Sequence, residues 1–153
     1  MYGTLSHETE VNVPASEAWA LYGTLELTYI CVPDLFAKID ISQGDGGVGT
    51  VITPTTNPGS LFSTYVDKIL LVDNKKMVKE VHAYQGGYLG LGFNSYLVRF
   101  EVIGKSKTSC TTKVTVEYDV KEGFIANTVH VSIEPFIGLV NYGNNYLIKN
   151  HKK

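Results

Sequence analysis

Residues 93–103, FNSYLVRFEVI, and residues 110–120, CTTKVTVEYDV, decide the fold of this chain. In both stretches apolar side chains alternate with polar ones, which is typical of strands buried on one face. In residues 124–149 the apolar residues recur instead at a spacing near 3.6, as they do along one face of a helix. This change of period predicts an antiparallel sheet followed by one long C-terminal helix, which Pro135 should kink.

Five further stretches carry strand signals, so the predicted sheet has seven strands. They are residues 4–13, 36–42, a run from Thr50, 61–72 and 77–84. Short helices are predicted at residues 14–22 and 25–31, where Pro14 suits a first helical turn. Because one helix cannot fill a strongly curved sheet, a hollow should remain. Residues 1–153 are therefore predicted to form a single α+β domain with an internal cavity.

Composition and charge narrow the class of partner. With 44% hydrophobic residues, 18% charged residues and a net charge of -2, the chain should fold, and it lacks the basic balance of a nucleic-acid binder. No stretch reaches the roughly 18 apolar residues that span a bilayer, and the first residues do not read as a secretory signal. We expect a cytoplasmic protein, monomeric or weakly dimeric, that binds neither nucleic acid nor membrane.

Motifs for cofactors and metals are weak. The glycine-rich loop at residues 44–49 lacks the Lys-Ser/Thr pair of a phosphate-binding loop, and a strand follows it. The four histidines have no ligand spacing. Cys31 and Cys110 lie far apart in sequence, which favours two separate buried thiols over a disulfide. We expect no cofactor and no metal.

Lys79 is the most informative polar residue. In its predicted strand it shares a face with Val81 and Ala83, so the alternation points a lysine into the hollow. Burial would lower its pKa by disfavouring the ammonium form, which makes Lys79 a candidate for proton transfer or carbonyl activation. The alternative is a lysine at the sheet edge whose stem is buried and whose ammonium reaches solvent.

Tyr65 and Asp67 lie on one face of the preceding strand. With a three-residue turn at residues 73–75, Asp67 would stand diagonal to Lys79, roughly 7–8 Å away between backbones. A tyrosine, a carboxylate and a lysine would then converge on one cavity wall as candidate catalytic groups. The alternative is a structural ion pair, which shifts pKa values without catalysing a reaction.

The rest of the cavity wall follows from the inward positions of the strands and the apolar stripe of the helix. The candidate substrate-binding residues are Leu35, Val81, Tyr96, Val98 and Phe136. Apolar walls with a few convergent polar groups describe a site for a small molecule, here a planar aromatic one.

Several motifs resemble one plant protein family. The loop QGDGGVGT at residues 43–50 is similar to the glycine loop of the birch-pollen-allergen superfamily, also called the pathogenesis-related class-ten family, and the resemblance covers essentially the whole chain. Within it, LSHETEV at 5–11, LVDN at 71–74, GGYL at 86–89 and EP at 134–135 look like the norcoclaurine synthase branch, while GFNSYLVR at 92–99 is similar to norbelladine synthases. The resemblance implies a helix-grip fold, in which a curved seven-stranded sheet surrounds the C-terminal helix.

The resemblance also implies an activity and its residues. By position, Lys79 matches the branch's catalytic lysine and Tyr65 its active-site tyrosine. Asp67 stands where norcoclaurine synthases use a glutamate as base, and Val98 where they have an aspartate. These matches imply a cofactor-independent enzyme that condenses an aromatic amine with an aldehyde, with a weakened Pictet–Spengler cyclisation because one acid is missing.

Two other functions in the same superfamily stay open. Many members are non-catalytic carriers of hormones, flavonoids or alkaloids, and this is the main alternative. The superfamily also contains hormone receptors, but their gate and latch loops are not apparent in residues 53–60 or 84–92. We rank a receptor function last.

Overall fold

A computed structural model describes residues 1–151, which form one seven-stranded antiparallel sheet, three α-helices and two 3-10 segments. The strands are β1 Tyr2–Val11, β2 Phe36–Gln43, β3 Val51–Thr56, β4 Tyr65–Asp73, β5 Val78–Gly86, β6 Phe93–Ser106 and β7 Ser109–Val120; the helices are α1 Ala15–Tyr22, α2 Glu26–Ile30 and α3 Glu134–Asn150; the 3-10 segments are Gly87–Leu91 and Glu122–His130. The sheet order is β1-β7-β6-β5-β4-β3-β2. The predicted α+β, helix-grip class and the number of strands are confirmed.

The apolar core lies where β6, β7 and the end of β1 face α1 and α3. Its largest cluster of buried side chains joins the inward residues of these strands to Trp19 and Tyr22 of α1 and to Val140 and Leu147 of α3. Cys31 and Cys110 are both buried and both free, as predicted. The core therefore packs β1, β7 and β6 against α1 and α3, and some inward side chains of β6 also border a cavity.

The C-terminal helix begins later than predicted. Residues 122–130 form 3-10 turns, residues 131–133 are not helical, and α3 starts at Glu134. Pro135 lies in the first turn of α3 and does not kink it, because a first-turn residue has no intrahelical partner for the N–H that proline lacks. Among residues 1–151 no single helix is long and apolar enough to cross a membrane; the 3-10 segment Glu122–His130 and α3, which meet at 46°, pass that test only together, by length and composition.

The turn between β4 and β5 is longer than predicted. Asp73 pairs with Val78, so residues 74–77 form the turn. The Asp73 carboxylate accepts hydrogen bonds from the backbone N–H groups of Lys75 and Lys76, at 3.0 and 2.9 Å, and Met77 closes the turn with φ 57°. Four turn residues instead of three move the pairing of the two strands.

A bulge at Leu70 partly compensates for this longer turn. Leu71 stands opposite Glu80, whereas Ile69 stands opposite Val81, so Leu70 has no partner in the ladder. The net effect shifts the predicted partners of residues 67–69 by two residues, whereas those of residues 71–73 shift by three. A shift of two keeps the same side chains facing inward. For residues 67–69, which precede the bulge, the prediction of which side chains face inward is therefore correct. The predicted pairing partners are wrong.

Candidate active site

One cavity of about 720 Å³ lies between the concave face of the sheet, α2 and the first half of α3. All eight residues expected to form the site line it: Leu35, Tyr65, Asp67, Lys79, Val81, Tyr96, Val98 and Phe136. Strands β4, β5 and β6 supply two each, α3 supplies Phe136, and the segment after α2 supplies Leu35. Alternation along three neighbouring strands is what brings these side chains to one wall.

The register separates Asp67 from Lys79. Asp67 lies opposite Ala83, and Ala83 is four residues along β5 from Lys79. At about 3.3 Å per residue, the two backbone positions are roughly 13 Å apart along the strand, so the predicted diagonal contact is wrong. Val81, which pairs with Val98, lies between them on the same face. The wall thus has a cationic end, an apolar middle and a carboxyl end.

Lys79 is almost completely buried, with 2% of its surface exposed. Its Nζ donates hydrogen bonds to the backbone carbonyls of Tyr22, at 3.1 Å, and Thr24, at 3.4 Å. No carboxylate among residues 1–151 lies within ion-pair distance of it. Burial therefore dominates and lowers the pKa of Lys79 to about 8. Since an ammonium has three N–H groups, two held by backbone leave one for a ligand in the cavity.

Asp67 occupies the other polar end. Burial raises the pKa of its carboxyl to about 7, although the side chain keeps some accessible surface. That surface faces the cavity, because Asp67 is one of its lining residues. In the described part of the chain no hydrogen bond engages the carboxyl, so its oxygens can accept one from a ligand.

An aromatic cluster borders Asp67. Tyr88 stacks on Tyr96 with ring centroids 4.1 Å apart, and Phe62 meets the edges of Tyr88 and Tyr65 at 5.0 and 6.2 Å. Burial is the main cause that raises the pKa values of Tyr65 and Tyr96, so both remain neutral phenols at physiological pH. These rings give flat apolar surface, and their hydroxyls can donate hydrogen bonds.

Tyr88 was not among the residues predicted from the sequence. It lies in the 3-10 segment Gly87–Leu91, and its hydroxyl donates a hydrogen bond of 2.9 Å to the carbonyl of His130. Gly86 and Gly87 precede it with φ of 68° and 56°, a region in which glycine is far less strained than other residues. The Gly-Gly pair was the available signal, because it marks a sharp change of direction that sends the next side chain across the cavity.

The arrangement suits acid–base chemistry on an aromatic substrate. Lys79 and Asp67 have pKa values within about one unit of neutrality, where general acids and bases work best. Among residues 1–151 there is no cluster of three or more His, Cys, Asp or Glu side chains that could hold a metal ion. The groups that this site offers to a ligand are therefore one ammonium, one carboxyl, several phenols and apolar walls.

Two enzymes are similar to this chain in sequence. The chain is 39% identical to norbelladine synthase of Narcissus pseudonarcissus over 141 residues, covering 90% of this chain and 86% of that one. It is 38% identical to S-norcoclaurine synthase of Thalictrum flavum subsp. glaucum over 124 residues, covering 79% of this chain but 59% of the longer relative. The chain thus spans less than two thirds of that enzyme.

A solved structure and a family profile also match this chain. The X-ray structure of norcoclaurine synthase from Thalictrum flavum, in complex with dopamine and hydroxybenzaldehyde, matches with a TM-score of 0.89 and 30% identity, covering 100% of this chain and 90% of that one. The profile of the pathogenesis-related protein Bet v 1 family matches residues 1–133. The chain belongs to the pathogenesis-related protein Bet v 1 family.

Proposed function

We propose that this protein condenses an arylethylamine with an aryl aldehyde, without a cofactor. The observation that carries the proposal is Lys79, an amine buried at one end of an aromatic-lined cavity with backbone carbonyls as its only hydrogen-bond partners in the described chain. The similarity to norbelladine and norcoclaurine synthases supports the same chemistry. A cavity of about 720 Å³ has room for two aromatic rings.

Binding supplies part of the rate enhancement. The apolar walls and the rings of Tyr88 and Tyr96 hold two flat partners in contact. Confinement turns a bimolecular encounter into a nearly unimolecular one, which can be worth about 7–11 kcal/mol when the reacting atoms are well aligned.

Lys79 acts as the general acid. When the amine nitrogen attacks the aldehyde carbon, the carbonyl oxygen gains negative charge and takes a proton from the Lys79 ammonium. The neutral Lys79 amine then takes the proton that the attacking nitrogen must lose to give the neutral carbinolamine. As an ammonium again, Lys79 protonates the hydroxyl, which leaves as water and gives the iminium. Transfer of the iminium N–H proton to Lys79 yields the imine and restores the ammonium. A pKa of about 8 leaves Lys79 mostly protonated at neutral pH and still able to release its proton.

Asp67 acts as the base at the other end of the substrate. Its carboxylate accepts a proton from a phenol of the amine partner, or from the ring carbon that bonds to the iminium during cyclisation. Tyr65 orients the phenol through its hydroxyl. A pKa of about 7 leaves Asp67 ionised to a useful extent and basic enough to take the proton.

Val98 favours condensation over ring closure. It is 6% exposed and lies between the two polar ends, where it offers a methyl surface. A cyclisation that needs a second acid in the middle of the wall finds none there. We therefore propose that the imine or its iminium is the main product and that Pictet–Spengler cyclisation is slow.

The test is turnover of dopamine or tyramine with a set of aryl aldehydes, followed by chiral chromatography. Lys79→Met keeps an apolar side chain of similar length and should lower the rate by about 10²–10⁴-fold, the usual contribution of general acid–base catalysis. Lys68→Met is the matched control, because the Lys68 ammonium lies 5.1 Å from the Tyr84 ring and outside the cavity. If wild type and Lys79→Met bind aromatics equally and neither shows turnover, the protein is a carrier.

A further inference from the structure

A chain of buried hydrogen bonds runs behind the cavity from β1 to Lys79. Thr112 of β7 donates to the carbonyl of Thr9 at 3.1 Å and accepts from the Asn144 amide of α3 at 3.0 Å. Asn144 in turn accepts from the Tyr22 hydroxyl at 2.8 Å. The backbone carbonyl of Tyr22 then accepts from Lys79 at 3.1 Å. One connected set of polar groups therefore links four elements to the ammonium.

The chain is held rigidly by its surroundings. Tyr22, Thr112 and Asn144 are 1%, 2% and 5% exposed, so water competes little for their hydrogen bonds. The Tyr22 hydroxyl also lies 3.0 Å from the carbonyl of Val140, so Asn144 and this carbonyl share its single proton. A Cβ at Gly143 would lie 2.6 Å from that hydroxyl, so the glycine is what lets the phenol approach α3 this closely. The position of Tyr22 is thus fixed at both ends of its side chain.

Tyr22 ends α1, and its location explains what Lys79 contacts. The last carbonyls of a helix lack intrahelical partners and carry the negative end of the helix dipole. Both acceptors of Lys79, the carbonyls of Tyr22 and Thr24, belong to this helix end and the residues just after it. Neither Tyr22, Asn144 nor Thr112 lines the cavity, so their route to a ligand passes through Lys79.

We infer that Tyr22 is a positioning residue for Lys79. Its hydroxyl, anchored by Asn144 and Thr112, fixes the end of α1 whose carbonyls direct the third N–H of Lys79 into the cavity. The effect on catalysis rests on the proposed condensing function, but the effect on the ammonium itself does not. Tyr22 determines where the Lys79 proton is held, whichever ligand fills the cavity.

The test is the titration of Lys79 in ligand-free protein. Protein labelled with ¹³C-lysine gives a Cε resonance for each lysine, and Lys79→Met identifies the one in the cavity. Tyr22→Phe removes one hydroxyl but keeps the ring that stacks on Phe100 at 6.2 Å. It should lower the Lys79 pKa by about one unit, because carbonyls that stabilise the ammonium are then less well placed and burial still opposes it.

Other titratable groups do not offer the same explanation. The groups on elements around Lys79 are the Tyr22 phenol, the Cys31 thiol after α2 and the Asp67 carboxyl on β4. Burial raises the pKa values of all three groups. Near pH 7 the Tyr22 phenol and the Cys31 thiol are therefore neutral, and the Asp67 carboxyl is partly neutral. Asp67 is spaced four residues along the sheet from Lys79, and Tyr22→Phe leaves it in place.

Two further variants sharpen the test. Tyr146→Phe is the matched control, since it also removes a hydroxyl that ties α3 to another helix, through a 2.9 Å bond to Glu26, but lies outside the chain of bonds. It should leave the Lys79 titration unchanged. Thr112→Val keeps the shape of the side chain two steps further from Lys79 and should give a smaller shift in the same direction.

The outcomes separate positioning from simple structural support. If Tyr22→Phe and Thr112→Val lower the melting temperature while the Lys79 titration stays where it is in wild type, the inference is wrong. If wild type turns over substrate, Tyr22→Phe should lower kcat about tenfold with little change in KM, because Tyr22 does not contact the ligand. If wild type shows no turnover, the proposed function fails, and the NMR titration still decides the role of Tyr22.

Discussion

Lys79 and Asp67 are two ionisable residues that burial shifts toward neutral pH from opposite directions. Desolvation disfavours the charged form of each, so it lowers the pKa of the amine to about 8 and raises that of the acid to about 7. About 13 Å of strand and the pair Val81–Val98 separate them, so neither neutralises the other. Each residue can therefore exchange a proton with its own part of the substrate.

The pH dependence of kcat/KM should be bell-shaped and narrow. Asp67 must be ionised to act as base, so activity should rise as the pH passes about 7. Lys79 must be protonated to act as acid, so activity should fall as the pH passes about 8. The measurement is initial rate against pH, corrected for the uncatalysed reaction. A profile that follows only the ionisation of the substrate amine would contradict both assignments.

Val98→Asp should raise the share of cyclised product relative to imine. It restores an acid at the middle of the wall, beside Val81 and between the two polar ends. The buried carboxyl has no partner unless the Lys79 ammonium reaches it, so a loss of stability of about 1–3 kcal/mol should accompany the gain. The measurements are the product ratio by chiral chromatography and the thermal midpoint. The isosteric Val98→Thr, which adds a hydroxyl but no acid, should leave the product ratio unchanged.

At the scale of elements, α3 contains two glycines that should respond oppositely to alanine. A Cβ at Gly138 meets nothing within 4 Å, so Gly138→Ala should stabilise the fold by about 0.5–1 kcal/mol through helix propensity. A Cβ at Gly143 would lie 2.6 Å from the Tyr22 hydroxyl, so Gly143→Ala should destabilise it despite the same propensity gain. Denaturant unfolding of the two variants measures the contrast. Equal effects would mean that Tyr22 does not pack against α3 at this point.

Local periodicity was enough to predict the strands but not how β4 pairs with β5. Alternation correctly put Asp67 and Lys79 inside, because it depends only on which neighbours are apolar. Pairing depends on the turn, and the turn depends on a carboxylate cap at Asp73 and a left-handed Met77. Neither has a strong sequence signal, nor has the bulge at Leu70. The residues that line the cavity were therefore predictable, while the distance between Asp67 and Lys79 was not.

The start of α3 and the role of Tyr88 were missed for a related reason. Apolar residues continue at helical spacing through residues 124–133, but residues 122–130 form 3-10 turns and the chain breaks before Glu134. Asn127 and His130 of this segment form hydrogen bonds with Leu91 and Tyr88. Pro135 marked the helix start and was taken as an interior kink. Tyr88 follows two glycines whose conformation alone determines where its ring points. Both features therefore had a local signal, a proline and a glycine pair, but apolar periodicity does not distinguish a helix start from a kink or give the direction of a turn.

For the molecule as a whole, the buried charges of Lys79 and Asp67 lower the free energy of unfolding in the pH range where the site would work. The folded-state pKa of Lys79 is lowered, so folding releases its proton and stability rises as pH increases from about 8 toward 10.5. The folded-state pKa of Asp67 is raised, so stability falls as pH increases from about 4 to about 7. Between about pH 7 and 8, both groups therefore lower the free energy of unfolding. Buried ionisable groups that reduce stability are expected where function requires them.

Asp67→Asn should therefore stabilise the protein by an amount that grows as the pH rises from about 4 to about 7 and is constant above that. Asparagine fits a similar volume and has no charge to desolvate. Near pH 4 the wild-type carboxyl is protonated in the folded state and close to its ordinary pKa of 3.8 when unfolded, so the two proteins should unfold at nearly the same temperature. Above pH 7 only wild type must keep a carboxylate in the cavity.

The expected gain at pH 8 is roughly 1–3 kcal/mol. Each pKa unit corresponds to about 1.4 kcal/mol, and the accessible surface of Asp67 inside the cavity reduces the full effect of its shift. The measurement is the thermal midpoint of wild type and Asp67→Asn at pH 4 and pH 8. Asp40→Asn is the control, since that carboxylate is exposed on β2 with only a 3.5 Å contact to Lys38, and it should change stability by less than about 0.5 kcal/mol at both pH values. Equal midpoints for wild type and Asp67→Asn at pH 8 would show that the Asp67 carboxylate is solvated, and the acid limb of the activity profile would then need another residue.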